Sequence, residues 1–316
     1  MEIDLSTTIA GLFMRNPLIL GAGPLGAKAE HLLSYSRIAG AVVTKSISVE
    51  PSKGNPQPRV IRIDHDGMIN CEGGPNPGIA EFGKTLRKIR QNIACPLIGS
   101  LSPRTLRSGA DADDLAARFE EAGADAIELD LKYLYDEKEF RSDFSLKQIG
   151  ETLGRLRKRV KVPLIAKLTY GAMDVAVIAK AAEDAGASAI CAINSVFPAM
   201  KIDIQKRSPA LSMEYGGLSG APIRPLAVAA VFRIAQAVKI PVIGVGGVMT
   251  GEDVIEFLLA GASGVQVYTV LMREGMEAFS RILRELTGYM EKSGTHSVRD
   301  IVGAAQEGRR KGVNRV

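Results

Sequence analysis

The sequence predicts a (β/α)8 TIM barrel, and two interleaved repeats carry that prediction. Four short apolar runs open on proline: Pro17-Leu18-Ile19-Leu20, Pro96-Leu97-Ile98-Gly99, Pro163-Leu164-Ile165-Ala166 and Pro241-Val242-Ile243-Gly244. Proline at the first residue of a strand removes no ladder hydrogen bond, so each run reads as a strand start. Between them stand four Ala-Gly-Ala turns, at 39–41, 122–124, 185–187 and 260–262, each leading into another apolar run. A glycine there suits the left-handed cap that ends a helix before a strand begins. The two series alternate without a break, which makes eight strands.

Helical patterns separate the strands: Asp111 to Glu121, Phe144 to Arg159, Met173 to Asp184, Pro225 to Val238, Glu252 to Leu259 and Met276 to Lys292. Continuous Val/Ile/Leu runs joined by helices are the pattern of parallel strands buried on both faces. Eight such units close into a barrel; a doubly wound open sheet, the alternative, does not call for eight of this regularity. Before strand one, Leu5 to Asn16 reads as a hairpin capping the barrel bottom. Insertions follow strands two, four and six. Those at Ser48 to Asn76 and Phe197 to Pro222 are rich in Pro and Gly, and loops of that length in a compact fold usually serve function.

The chain has 316 residues, enough for one large α/β domain spanning 1–316. Hydrophobic residues make up 46% and charged residues 24%, and no apolar run approaches the ~20 residues that cross a bilayer. Met1-Glu2-Ile3-Asp4-Leu5 lacks a basic stretch followed by an apolar one, so the expectation is a cytoplasmic protein without a membrane partner. Cys71, Cys95 and Cys191 are too scattered for a C-x-x-C motif, and His31, His65 and His296 do not recur at ligand spacing; no metal site is expected. The formal charge is +5, but the basic clusters at 84–90, 155–161 and 309–311 are short and lack interleaved aromatics. They read as solvated helix faces and a tail rather than a nucleic-acid surface.

In this fold the active site lies at the carboxyl ends of the strands, with phosphate gripped after strands seven and eight. Strand seven ends in Gly244-Val245-Gly246-Gly247 and opens a helix at Thr250-Gly251-Glu252-Asp253, so backbone N–H groups and the helix dipole are expected to face an anion. Strand eight ends in Tyr268-Thr269, a further N–H and a hydroxyl. Lys45 and Lys167 end otherwise apolar strands, where a lysine is costly to bury without an anionic partner. Either lysine could stabilise an anionic flavin ring, or form a Schiff base as aldolases do. Asn70, Asn194 and Ser195, at further strand and loop ends, suit hydrogen bonding to a planar ligand.

Several stretches resemble the dihydroorotate dehydrogenases, specifically the soluble type (class 1B) that pairs with an iron-sulfur flavoprotein subunit. They are Thr44-Lys45-Ser46, Gly54-Asn55-Pro56-Gln57-Pro58-Arg59, Asn76-Pro77-Gly78, Lys167-Leu168, Ile193-Asn194-Ser195, Gly216-Gly217-Leu218-Ser219-Gly220 and, most extensively, Ile240 to Gly264. The resemblance implies an FMN-binding oxidoreductase of pyrimidine metabolism that acts on CH–CH bonds, with a small carbonyl substrate and a possible homodimer. It implies FMN contacts from Gly23, Lys45, Ser46, Ser100, Asp130, Lys167, Ile193, Gly220, Gly246, Gly247, Tyr268 and Thr269. Asn70, Gly74, Asn194 and Ser195 would face the substrate.

The loop after strand four departs from the family. Where the family reads Glu-Leu-Asn and then, two residues on, a Cys base with Pro-Asn, this chain reads Glu128-Leu129-Asp130-Leu131-Lys132-Tyr133-Leu134-Tyr135. Tyr133 stands at the base position. Asp130 and Tyr135 replace two asparagines, Ser100 replaces an asparagine beside the flavin, and Tyr268 replaces a glycine. A tyrosine of pKa about 10 is a poor base at neutral pH but can donate a proton, so the expectation is hydride transfer with Tyr133 and Lys167 as catalytic residues and a substrate other than dihydroorotate. A charged Asp130 against an anionic ring would cost several kcal/mol, order of magnitude. The alternatives are a dihydroorotate dehydrogenase with an unusual base, among which Lys132, Tyr135 and Asp136 are candidates, a Schiff-base lyase, and a flavin-binding barrel without turnover.

Overall fold

The computed structural model describes residues 3–106, 109–131, 135–136, 141–142, 146–171 and 174–306, the pairs 135–136 and 141–142 by their backbone alone. Eight parallel strands form a closed barrel: β1 (Leu18–Leu20), β2 (Ala41–Val43), β3 (Leu97–Leu101), β4 (Ala126–Asp130), β5 (Leu164–Leu168), β6 (Ala189–Ala192), β7 (Val242–Val245) and β8 (Ala262–Val267). Each pairs with its neighbours in chain order, and β8 closes on β1 through Val265, Gln266 and Val267 opposite Leu18, Ile19 and Leu20. The open-sheet alternative is excluded by that closure.

The period of two along each strand divides the core. Ile19, Ala41, Val43, Ile98, Ala126, Ile165, Ala189, Cys191 and Ile243 form one buried cluster inside the barrel. The alternate residues, such as Leu18, Leu20, Val42, Leu97, Ile127, Leu164 and Val265, pack outward against the helices. The expected N-terminal hairpin is present as Thr7–Ile9 paired with Leu12–Met14, and its fully buried Ile9 and Met14 join the interior cluster, plugging the barrel floor.

Among the described residues, eight main helices surround the barrel: α1 (Ala29–Ser36), α2 (Ile79–Ile89), α3 (Gly109–Glu121), α4 (Leu146–Arg159), α5 (Val175–Asp184), α6 (Arg224–Ala237), α7 (Gly251–Ala260) and α8 (Glu277–Ser293). The last six match the helical patterns read from the sequence to within two residues at each end. The first two lie outside those six patterns, although the basic cluster at 84–90, read as a solvated helix face, falls largely within α2. An edge contact between Tyr35 of α1 and Phe279 of α8, with ring centroids 5.8 Å apart, joins the first helix to the last.

The excursions after β2 and β6 are not independent loops; they interleave into a four-stranded antiparallel sheet, in the order Val196–Ala199, Gly216–Gly220, Gly67–Asn70, Val60–Ile63. The central pairing sets Gly217 opposite Asn70 and Gly220 opposite Gly67. Asn76 ties the first excursion down, its amide oxygen accepting from the N–H groups of Ser48 and Gly78. In the insertion after β4, Tyr135–Asp136 pairs with Arg141–Ser142.

Candidate active site

A cavity of about 670 Å³ opens at the carboxyl ends of the strands, within the range of pockets that hold cofactors. Every barrel strand leads a residue into its wall: Gly23 after β1, Lys45 and Ser46 after β2, Ser102 after β3, Asp130 on β4, Lys167 on β5, Ile193 after β6, Gly246 after β7 and Tyr268 after β8. The accessory sheet supplies another side through Val60, Met68, Asn70, Phe197, Gly217 and Gly220. Of the residues singled out in the sequence, the cavity therefore gathers Gly23, Lys45, Ser46, Asn70, Gly74, Asp130, Lys167, Ile193, Asn194, Ser195, Gly220, Gly246, Gly247, Tyr268 and Thr269.

One expected residue is not in that wall. Ser100 is completely buried behind Ser46, the two hydroxyls 3.0 Å apart, and its N–H donates to Thr44 Oγ1; it supports the wall instead of forming it. Tyr133 lies outside the described residues, as does Lys132, and only the backbone of Tyr135 and Asp136 is described.

The anion grip differs from expectation in one respect. The first turn of α7 is already satisfied: Asp253 Oδ2 accepts from the N–H groups of Met249 and Thr250, Thr250 Oγ1 accepts from Asp253 N–H, and Glu285 accepts from Gly251 N–H. A helix start whose N–H groups are held by two carboxylates has little left for a ligand. The cavity is instead lined by the turn before it, Gly246-Gly247-Val248, together with Thr269. Gly247 has φ 78°, and a Cβ there would stand 2.7 Å from Arg224 Cβ and 2.9 Å from Gly220 O. Bare backbone is required, and bare backbone is what lets a phosphate approach N–H groups closely.

Tyr268 shapes the adjoining corner. Its hydroxyl accepts from Leu25 N–H at 3.1 Å and its ring lies directly against Gly23. Burial drives its phenol pKa well up, so it stays neutral.

Both lysines are buried and paired. Lys45 Nζ lies 2.9 Å from Glu72 Oε2, a partner 27 residues on that no local motif marks. Lys167 Nζ lies 3.3 Å from Glu128 Oε1 and donates to Gln266 Oε1 at 3.1 Å. Burial alone would lower the Lys167 pKa; the charge of Glu128, with smaller help from Asp130 and a hydrogen bond to Glu128, reverses the sign and holds the ammonium well above its usual range. A Schiff-base lysine must reach the neutral amine, so this environment opposes the lyase alternative. Beside it, Asp130 Oδ1 accepts from Asn194 Nδ2 at 2.8 Å, and Asn194 Oδ1 accepts from Ser195 N–H. Asp130 thus orients the amide that the sequence pointed toward a substrate.

A glycine-lined anion turn, two ammonium groups and a row of amides at the mouth of a closed barrel define the class: an FMN-dependent oxidoreductase barrel acting on CH–CH bonds. The residues fit that cofactor on the structure's own terms, since the Gly247 cradle admits no side chain and the cations suit an anionic ring. Residues 4–290 match the dihydroorotate dehydrogenase family model. The chain is 40% identical to the dihydroorotate dehydrogenase B (NAD(+)) catalytic subunit of Methanothermobacter thermautotrophicus, over 97% of this chain and all of that one. It is 38% identical to the protein of the same name in Thermoplasma acidophilum and 37% to that in Pyrococcus abyssi, covering 96% and 95% of this chain and 99% of each relative. The chain belongs to the dihydroorotate dehydrogenase family. Membership corrects the lyase and the turnover-free barrel alike.

Proposed function

We propose that the protein moves a hydride between FMN and a carbon–carbon bond next to a carbonyl in a planar cyclic amide, with dihydroorotate the first candidate. The observation that carries this reading is the gathering of the Gly246-Gly247 turn, the Lys167 ammonium and the amides of Asn70 and Asn194 in one cavity. FMN, when bound, supplies two-electron chemistry at its ring. Gly246, Gly247, Val248 and Thr269 would hold its phosphate, and Lys45 and Lys167 its ring. Asn70 and Asn194 would orient the substrate amide, the second held in place by Asp130. Tyr133 would move the proton that balances the hydride, in the place where the family carries cysteine. The relatives are named catalytic subunits, which supports an iron-sulfur flavoprotein subunit as the electron partner.

The test is anaerobic mixing of FMN-loaded protein with dihydroorotate while following the flavin band near about 450 nm. Bleaching within the turnover time is expected. A second reading, an uncharged ring in place of the orotate carboxylate, is favoured by Glu72 and Asp130, which put two carboxylates in the cavity wall. Absence of bleaching by dihydroorotate, with bleaching by an uncharged dihydropyrimidine, would decide for it; bleaching by neither refutes both.

A further inference from the structure

Beneath the cavity floor, three polar side chains inside the barrel form a closed triangle. Glu128 Oε1 faces Lys167 Nζ at 3.3 Å, Glu128 Oε2 accepts from Gln266 Nε2 at 2.6 Å, and Gln266 Oε1 accepts from Lys167 Nζ at 3.1 Å. Each side chain touches both others. Lys167 and Gln266 reach the cavity wall; Glu128, on the same inward face of β4, is fully buried and does not. Both carboxylate oxygens and both ends of the amide are thereby used, and two of the three ammonium protons are spent, which leaves one for the cavity.

A buried ion pair is not explained by stability alone, because two charges removed from water often cost more than they return. Packing would have been served by the Val, Ile and Ala that fill the rest of the interior. The other groups around the ammonium are Asp130 from β4 and the Cys191 thiol from β6. The thiol is held protonated by burial and by Glu128, so it contributes no charge. On β7 the inward residue is apolar Ile243. Glu128 is therefore the fully buried counter-charge of Lys167, and Gln266 clamps both from β8.

We infer that Glu128 is a positioning residue for the redox reaction: clamped by Gln266, it keeps Lys167 a fixed cation at the cavity floor, so that the cation sets the reduction potential of the bound flavin at every working pH. The inference rests on the proposed function in one respect, that Lys167 faces the flavin ring. A cation there stabilises the reduced, anionic ring and raises the potential. Without Glu128 the same ammonium sits in a dry interior that favours the neutral amine by up to several pK units.

The experiment measures the midpoint potential of FMN-loaded protein from roughly pH 6 to 9, a range in which an unpaired buried lysine would titrate. Lys167→Met should lower the potential by at least a tenfold change in the reduced-to-oxidised ratio, about 30 mV for a two-electron couple. If it does not, the placement of Lys167 against the flavin fails. Glu128→Gln should retain FMN and show an added break in the potential-against-pH line, meeting the Lys167→Met value at the alkaline end. The double variant should match Lys167→Met alone. A normal Lys167→Met shift with a Glu128→Gln line parallel to that of the unmodified protein would overturn the inference while leaving the proposed function standing. Should Glu128→Gln fail to fold, Glu128→Met, which removes the counter-charge at similar volume, is expected to show the same break; a line without a break would overturn the inference equally.

Discussion

Gly23 and Tyr268 should behave as one unit. The backbone of Gly23 is extended, with φ 170°, a conformation open to any residue, so its size alone is at stake. A Cβ built there stands 2.3 Å from Tyr268 Cζ, 2.4 Å from Cε2 and 2.7 Å from the hydroxyl oxygen. Carbon contacts settle near 3.5–4.0 Å (roughly), so the ring must retreat by more than about 1 Å. Retreat also breaks the bond from Leu25 N–H. Overpacking costs about 1–3 kcal/mol and the lost hydrogen bond about 1 kcal/mol, so Gly23→Ala should lose about 2–4 kcal/mol. Urea unfolding reads this directly, and FMN titration should show weakened binding because both residues line the cavity. Tyr268→Gly removes the clash but forfeits the ring's packing and the Leu25 bond, so the double variant should lose less than the sum of the two single losses, with a coupling of about 1–3 kcal/mol. A Gly23→Ala variant as stable as the unmodified protein, or single losses that simply add in the double variant, would refute the packing argument.

Three further outcomes are expected. Tyr133→Phe should lower kcat by about 10²–10⁴-fold while FMN affinity is unchanged; full turnover with the cognate substrate would remove Tyr133 from the mechanism. Asp253→Ala should destabilise the protein by about 1–3 kcal/mol in urea, because Met249 and Thr250 lose the carboxylate that caps α7, yet FMN should still bind at saturating concentration since Asp253 does not line the cavity. Burial pushes the Cys95 thiol up to about 12 and holds Cys191 well above the ordinary thiol value, so at pH 8 alkylation followed by mass spectrometry should mark Cys71 well ahead of both. The sign of the pH effect follows: the native state keeps protons that the unfolded chain gives up above 9, so this contribution to stability is whole below pH 9 and falls away toward pH 12. Equal labelling of Cys191 in the native protein would contradict that burial.

The sequence by itself determined the barrel. Proline-led strands alternating with Ala-Gly-Ala turns are local signals, since a strand start needs no N–H and a helix end needs a left-handed residue, and both are chemistry of single positions. The glycine turn of the cavity wall was legible for a similar reason, because its position at the end of a barrel strand singles out Gly246 and Gly247. What the tertiary structure decided are relations between residues far apart in the chain. Whether the α7 start was free for an anion depended on Asp253 and on Glu285, 34 residues beyond Gly251. The role of Lys167 depended on Glu128 and Gln266, brought together only because β4, β5 and β8 turn the same face inward. The excursions read as loops became a sheet because Asn70 pairs with Gly217, 147 residues away. Backbone conformation is written locally, whereas charge state and hydrogen-bond satisfaction belong to pairs, and closure of the barrel selects the pairs.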